Sequence, residues 1–190
     1  MDVLTLGPLE VPPLAVGAMF WGTRVPGETA HDLLDRAVDR GARFVDTANN
    51  YAFWQPGATF LPPAPGTDFG RQMLLDEAVQ DACQAHDVAM VGYSTLLEGA
   101  YTRADRPFPE AYRQPGSDEA LRTLATVAAE TGLDAGQAVL SWLAHRPARV
   151  IPVIGASRPD QLDSAITAVA TPMSAAAVAE LDARSRRIGW

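Results

Sequence analysis

The sequence predicts an α/β fold, either a β/α barrel or a doubly wound sheet, and three observations carry that prediction. Four short apolar runs read as parallel-type strands. Runs with helical spacing alternate with them, and polar residues cluster where the strand runs end.

Taken in order, residues 3 to 12 predict a short hairpin, with Val3-Leu4-Thr5-Leu6 turning at Gly7-Pro8 into Leu9-Glu10-Val11. Leu14-Ala15-Val16-Gly17-Ala18-Met19 is a continuous apolar run, as in strands buried on both faces. A helix follows from Glu28 to Arg40, because Leu33, Leu34, Ala37 and Val38 fall at helical spacing and Gly41 supplies a stop. Arg43-Phe44-Val45-Asp46-Thr47 is the next strand, and together these pieces make a βαβ unit. From Ala48 to about Gly70 the pattern breaks, with Pro56, Pro62, Pro63, Pro65, Gly57 and Gly66 and no periodicity. So long an unpatterned stretch inside a compact domain reads as a lid, a linker or a place where structure has been lost.

Regularity returns with a helix from about Arg71 to His86 and a strand, Val88 to Tyr93. Residues 97 to 117 read as a second long loop, followed by helices near 118–131 and 135–145, the latter capped by Asp134. Arg149 to Ile154 is the fourth strand, ending at Gly155-Ala156-Ser157. Helices near 159–169 and 174–187 close the chain, with Ser174 as N-cap of the second.

A length of 190 residues suits one domain with a sizeable core. The net charge of −8 argues against phosphate backbones and anionic membranes as partners. The single cysteine, Cys83, allows no internal disulfide and fits a reducing compartment. No basic start precedes an apolar stretch at the N-terminus, and no apolar run approaches the roughly 20 residues that span a bilayer. The expectation is a soluble, cytoplasmic protein with no nucleic-acid or membrane partner and no metal site.

Three segments carry a family resemblance. Asp46-Thr47-Ala48-Asn49-Asn50-Tyr51 resembles the segment after the second barrel strand of the aldo-keto reductases. Gly92-Tyr93-Ser94-Thr95-Leu96-Leu97-Glu98-Gly99 is similar to their seventh-strand motif, and Ile151 to Leu162 resembles their eighth-strand cofactor segment. The hairpin before Leu14-Ala15-Val16-Gly17 also fits the plug that closes the bottom of that barrel. The resemblance implies a partial (β/α)8 TIM-type barrel retaining strands equivalent to 1, 2, 7 and 8, with an N-terminal β-hairpin. Such barrels typically take about 250 residues. It further implies a single truncated domain, with residues 1–60 as an N-terminal βαβ part and 61–190 as a C-terminal cofactor-binding part. An internal deletion would have removed strands three to six, with the junction near Phe60-Leu61.

In this family, hydride passes from NADPH to a carbonyl carbon while a tyrosine protonates the oxygen. By motif position Tyr51 would be the proton donor and Asp46 the aspartate that perturbs it. A phenol suits the task because its neutral form can release a proton to a developing alkoxide, and a neighbouring cation would ease that release. The family's lysine and histidine would come from strands three and four. All 15 basic residues here are arginine, and His31, His86 and His145 read as solvent-facing or helix-end groups. Asp46 and Tyr51 are therefore either a weakened catalytic pair or an inherited strand-end pair that does no chemistry.

The resemblance assigns Gly155, Ala156, Ser157, Arg158 and Gln161 to the phosphates and adenosine of the cofactor. Arg158 would take a 2′-phosphate, favouring NADPH, or stand as a solvated loop arginine. Tyr93 would stack on the nicotinamide, with core packing as its alternative, while Ser94, Thr95 and Leu96 line the pyrophosphate path. Ala165 stands where the family often has asparagine. Trp21, Phe53 and Trp54 would form an apolar wall for a small-molecule carbonyl substrate. The outer strands of a half-barrel would have unpaired edges, so the expectation extends to a homodimer completing the barrel, or else an open sheet. The activity expected is that of an NADPH-dependent aldo-keto reductase-type oxidoreductase acting on a carbonyl/alcohol pair, weakened by the lost lysine and histidine. The alternative is a non-catalytic nucleotide-binding or scaffold remnant.

Overall fold

A computed structural model describes residues 3–6, 9–21, 24–46, 90–110, 113, 116–146 and 150–185. The predicted loop 48–70 and the helix near 71–86 lie outside them. The chain opens with a hairpin of β1 (Leu4–Leu6) and β2 (Leu9–Val11), paired antiparallel with Leu4 opposite Val11. β3 (Ala15–Gly17), α1 (Gly27–Asp39) and β4 (Val45–Asp46) form the expected βαβ unit. β5 (Met90–Gly92) leads through a 3-10 turn at Leu97–Gly99 to α2 (Ser117–Thr131) and α3 (Ala135–His145). β6 (Val150–Ile154), α4 (Pro159–Ala170) and α5 (Ala175–Ser185) complete the order.

The four later strands form one parallel sheet in the order β4-β3-β6-β5, curled into half of a barrel. Successive side chains alternate across a strand, so residues at one level share a face. Val16 is level with Ile154, and both enter a core with Leu33 and Ala37 of α1 and Leu162, Ala165 and Ile166 of α4. Val150 packs outward as well, among residues of α2, α3 and α5. On the other face Ala15 and Ile151 pack with Val11, beside Leu4, Phe44 and Val153. Among the described residues, helices thus cover one face and the hairpin closes the starting end of the other. That division is barrel-like, because a doubly wound sheet carries helices on both faces.

The local signals explain most boundaries. Gly41, at φ 81°, ends α1 in a left-handed turn that an L side chain would strain. Its N–H donates to the Val38 carbonyl at 3.0 Å and that of Ala42 to the Ala37 carbonyl at 2.8 Å, which satisfies two helix-end carbonyls. Asp134 caps α3 through a reciprocal pair: Gln137 N–H donates to Asp134 Oδ1 at 2.8 Å, and Asp134 N–H donates to Gln137 Oε1 at 3.1 Å. Ser174 caps α5 by accepting from Ala177 N–H at 3.2 Å. The inward face of α1 takes only part of the apolar set at helical spacing. Ala30, Leu33 and Ala37 are buried, whereas Val38 is 38% exposed. A single stripe at i, i+3 and i+7 meets the sheet, and Val38 falls beyond its arc.

Two polar clamps hold the outer helices. Arg36 on α1 forms a paired contact with Asp163 on α4, its Nε donating to Oδ1 at 2.9 Å. Trp142 Nε1–H donates to Asp182 Oδ1 at 2.9 Å, and Arg146 Nε lies 3.0 Å from the same oxygen. The Arg146 guanidinium also sits 4.6 Å from the centre of the Trp142 ring, so α3 and α5 are joined by one compact cluster. Among the described residues, no single helix is long and apolar enough to cross a membrane.

Candidate functional site

All four strands of the sheet run the same way, so their carboxyl ends share one rim. Gly17 is level with Asp46, and Ala18 N–H donates to the Asp46 carbonyl at 3.0 Å. On its other side β3 pairs with β6, whose end opens into the Gly155–Arg158 turn. Asp46 and that turn are therefore one strand apart on the same rim. Gly17 lets this happen, because a Cβ there would stand 3.1 Å from Val153 Cγ1 and 3.2 Å from the Ile154 carbonyl oxygen. Alternation puts half-buried Asp46 on the face that carries Phe44, the concave one. At the opposite side of the sheet, Val91 is level with Ile151 and shares that face; Tyr93 follows the last strand residue, Gly92, at the rim. Tyr93 is 42% exposed, which sets aside a core-packing role.

The chain then turns sharply. Ser94, Leu97 and Glu98 all have positive φ (55°, 47° and 56°), a conformation that costs a side-chain-bearing residue about 1 kcal/mol or more. The turn is fixed by Leu97 N–H donating to the Ser94 carbonyl at 2.9 Å and Gly99 N–H to the Leu96 carbonyl at 2.8 Å. Leu96 packs against the main core, and a Cβ on Gly136 would meet its Cδ2 at 3.5 Å. Thr95 is 8% exposed, and its Oγ1 is buried without a hydrogen-bond partner. Trp21, half-buried in the loop after β3, has an indole Nε1 in the same condition. Two orphaned polar atoms in loops at one rim are unusual, since buried polar groups are nearly always paired. They fit a polar ligand that brings its own hydrogen-bonding groups.

The turn after β6 is arranged around Gln161. Its Oε1 accepts from Ser157 N–H at 2.8 Å, Ser157 Oγ–H at 3.1 Å and Arg158 N–H at 3.2 Å. These are the donors that the start of α4 would offer to an anion. Arg158 grips Asp160 with two parallel bonds, Nε to Oδ1 at 3.0 Å and a terminal nitrogen to Oδ2 at 3.1 Å. The side-chain hydrogen bond from Arg158 holds the Asp160 carboxyl below the usual carboxylate range, and Asp160 in turn raises Arg158. Gly155 has open space where a Cβ would stand, while Ala156 and Ala165 are buried in the main core. Ser157, Arg158, Pro159 and Asp160 are exposed here, and Gln161 is half-buried beneath the turn.

The structure brings together on one rim Asp46, Trp21, Tyr93, Ser94, Thr95, Leu96 and the 155–161 turn. Tyr51, Phe53 and Trp54 lie outside the described residues, as does His86. His31 is exposed on α1. His145 Nδ1 is 2.8 Å from the Ser141 carbonyl oxygen at the last turn of α3, the end away from the rim. Sequence reasoning missed the self-contained bonding of the turn. A glutamine three residues after the position preceding the helix was its only signal. Among the described residues, no group of three or more His, Cys, Asp or Glu side chains could hold a metal ion.

Comparison with known proteins identifies the family and the fold. The Aldo/keto reductase family profile matches residues 71–186, more than half of the chain, and the chain belongs to that family. An aryl-alcohol dehydrogenase of Pestalotiopsis microspora is 26% identical over 150 residues, covering 76% of this chain and 39% of that protein. A norsolorinic acid reductase of Emericella nidulans is 28% identical over 120 residues, covering 60% of this chain and 30% of that one. An uncharacterized 11.2 kDa protein of Pseudescherichia vulneris is 39% identical over 49 residues, 26% of this chain and 48% of its own length. The chain spans half or less of the length of these curated relatives. The crystal structure of a thermostable aldo-keto reductase bound to the inhibitor epalrestat superposes with a TM-score of 0.65 at 16% identity, covering 97% of this chain and all of that one. That likeness shows the fold.

Proposed function

We propose that this chain binds NADPH at the rim and acts as an aldo-keto reductase-type oxidoreductase on a carbonyl/alcohol pair, with slow turnover. The observation that supports it most is the sheet order β4-β3-β6-β5, which sets Asp46 and the Gly155–Arg158 turn beside the same central strand. In this reading β3, β4, β5 and β6 stand for barrel strands one, two, seven and eight, the deletion falls near Phe60-Leu61, and residues 61–190 form the cofactor-binding part. Ser157, Arg158 and the start of α4 hold the phosphates once Gln161 releases their donors, and Arg158 exchanges Asp160 for the 2′-phosphate. Tyr93 stacks on the nicotinamide, with Ser94 and Thr95 Oγ1 along the pyrophosphate. NADPH, when bound, supplies the hydride.

Tyr51 donates the proton and Asp46 polarises it. A phenol titrates near 10 when nothing perturbs it, and the chain has no lysine to lower that value. Slow turnover follows. The substrate proposed is an aryl carbonyl or alcohol. Support comes from the likeness to an aryl-alcohol dehydrogenase and from half-buried Trp21 at the rim, which the sequence reading groups with Phe53 and Trp54. The missing lysine also supports a second reading, a nucleotide-binding protein without catalysis.

Fluorescence titration with NADPH and NADH tests binding. Arg158→Ala is expected to weaken NADPH roughly tenfold or more and to leave NADH little changed. Absence of any nucleotide binding overturns both readings. Tyr51→Phe is expected to abolish reduction of an aryl aldehyde, and an unchanged rate removes that tyrosine from the chemistry.

A further inference from the structure

Among the described residues, the concave face of the sheet is apolar apart from Asp46 at the rim and is only partly covered. The hairpin buries Ala15 and Ile151 at its starting end. Toward β5 the cover thins: Val91, level with fully buried Ile151, is 43% exposed, and Tyr93 is 42% exposed. Phe44 and Val153 on the same face are only partly buried. Among the described residues, β4 and β5 each have one strand neighbour, so the described sheet ends in two edges of the same polarity. A parallel sheet ordinarily has both faces covered, because neither face is built to meet water.

We infer that this face is closed by a second copy of the chain, related by a two-fold axis along the strand direction. The axis places β4 of one copy beside β5 of the other, parallel, at two equivalent seams. Four strands become eight, the number at which a closed barrel has an interior that side chains just fill. A foreign partner would need two parallel edges, matching curl and an apolar concave face. A copy supplies all three by symmetry. Pairing β5 with β5 would run the strands antiparallel and leave the concave faces in water. The seam also has a consequence for the rim. Asp46 of one copy comes to stand on the strand next to the one that leads to Tyr93 of the partner subunit, so each site draws on both chains. The inference rests on the sheet alone and holds whether or not the chain reduces a carbonyl.

Sedimentation of the full chain at micromolar concentration tests it, and twice the chain mass is expected. Val91→Asp, which sets a charge in the apolar seam, is expected to weaken self-association at least tenfold. Val38→Asp, an equally exposed position on the helical side, is expected to leave it unchanged. Amide exchange provides a second arm if Val91→Asp fails to fold: residues 45–46 and 90–92 of the wild type should gain protection as concentration rises. A folded monomer, with residues 47–89 or solvent against the face, overturns the inference. So does a dimer whose β4 and β5 amides exchange freely, or one that Val38→Asp disrupts and Val91→Asp does not.

Discussion

β6 and β4 flank the same central strand, yet they are built to different standards. β6 has five residues, pairs on both sides and buries Val150, Ile151, Pro152 and Ile154. Behind it stands a continuous core with α3 and α4. β4 has two residues, both half-buried, and among the described residues it pairs only with β3. The first carries the Gly155–Arg158 turn and the second carries Asp46. The binding half of the proposed site is thus anchored in the best-packed part of the molecule, and the acid–base half in the thinnest. On the proposed reading, affinity for a nucleotide should outlast catalysis when the fold is stressed.

The most forceful way to break this contrast is to cut the core under each strand. Leu162→Ala, at a fully buried position on α4, should cost about 2–5 kcal/mol in urea unfolding. Phe44→Ala, beside β4 and partly buried, should cost roughly half as much, and a reversed order would refute the comparison. Gly17→Ala probes the joint between the two halves. Its Cβ would crowd Val153 and the Ile154 backbone, so a loss of about 1–3 kcal/mol is expected in the same assay. A neutral result would show that β3 and β6 can part without penalty. Gln161→Ala sharpens the reading of the turn. Stability should fall by about 1 kcal/mol as the helix loses its cap, while NADPH binds at least as well because the donors are free. Weaker binding would instead make Gln161 a cofactor contact.

The smallest effect concerns acid. The Arg36 hydrogen bond, with the charges of Arg36 and Arg40, holds Asp163 below its ordinary value. A carboxyl depressed in the folded state adds stability that is complete above its unfolded value near 4 and is lost as pH falls through the lower folded value. Asp163→Asn should therefore lower the melting temperature slightly at neutral pH and flatten its fall below about pH 4. An unchanged acid slope would show that the clamp between α1 and α4 is not populated in solution.

What the sequence revealed follows the range of the interactions involved. Gly41, Asp134 and Ser174 act on bonds a few residues away, and each terminates its helix where local chemistry predicts. Pro152 inside a central strand runs against strand propensity, and the apolar run around it together with the family resemblance points to β6. Periodicity marks the apolar positions of α1 but does not tell which arc meets the sheet, and Val38 lies outside that arc. The order of the four strands is a long-range property, visible beforehand only through the family resemblance. The Ser157–Gln161 and Arg158–Asp160 bonds depend on the shape of one turn, which residue types alone do not specify.

The bend after β5 has a consequence of its own. Ser94, Leu97 and Glu98 hold a backbone shape that glycine would adopt at less cost, and none of them is glycine. Replacing Leu97 with glycine would relax the bend but also loosen it, since glycine samples many shapes that leucine cannot. The segment is therefore expected to act as a stiff bracket rather than a hinge, giving up a little stability to hold one backbone shape.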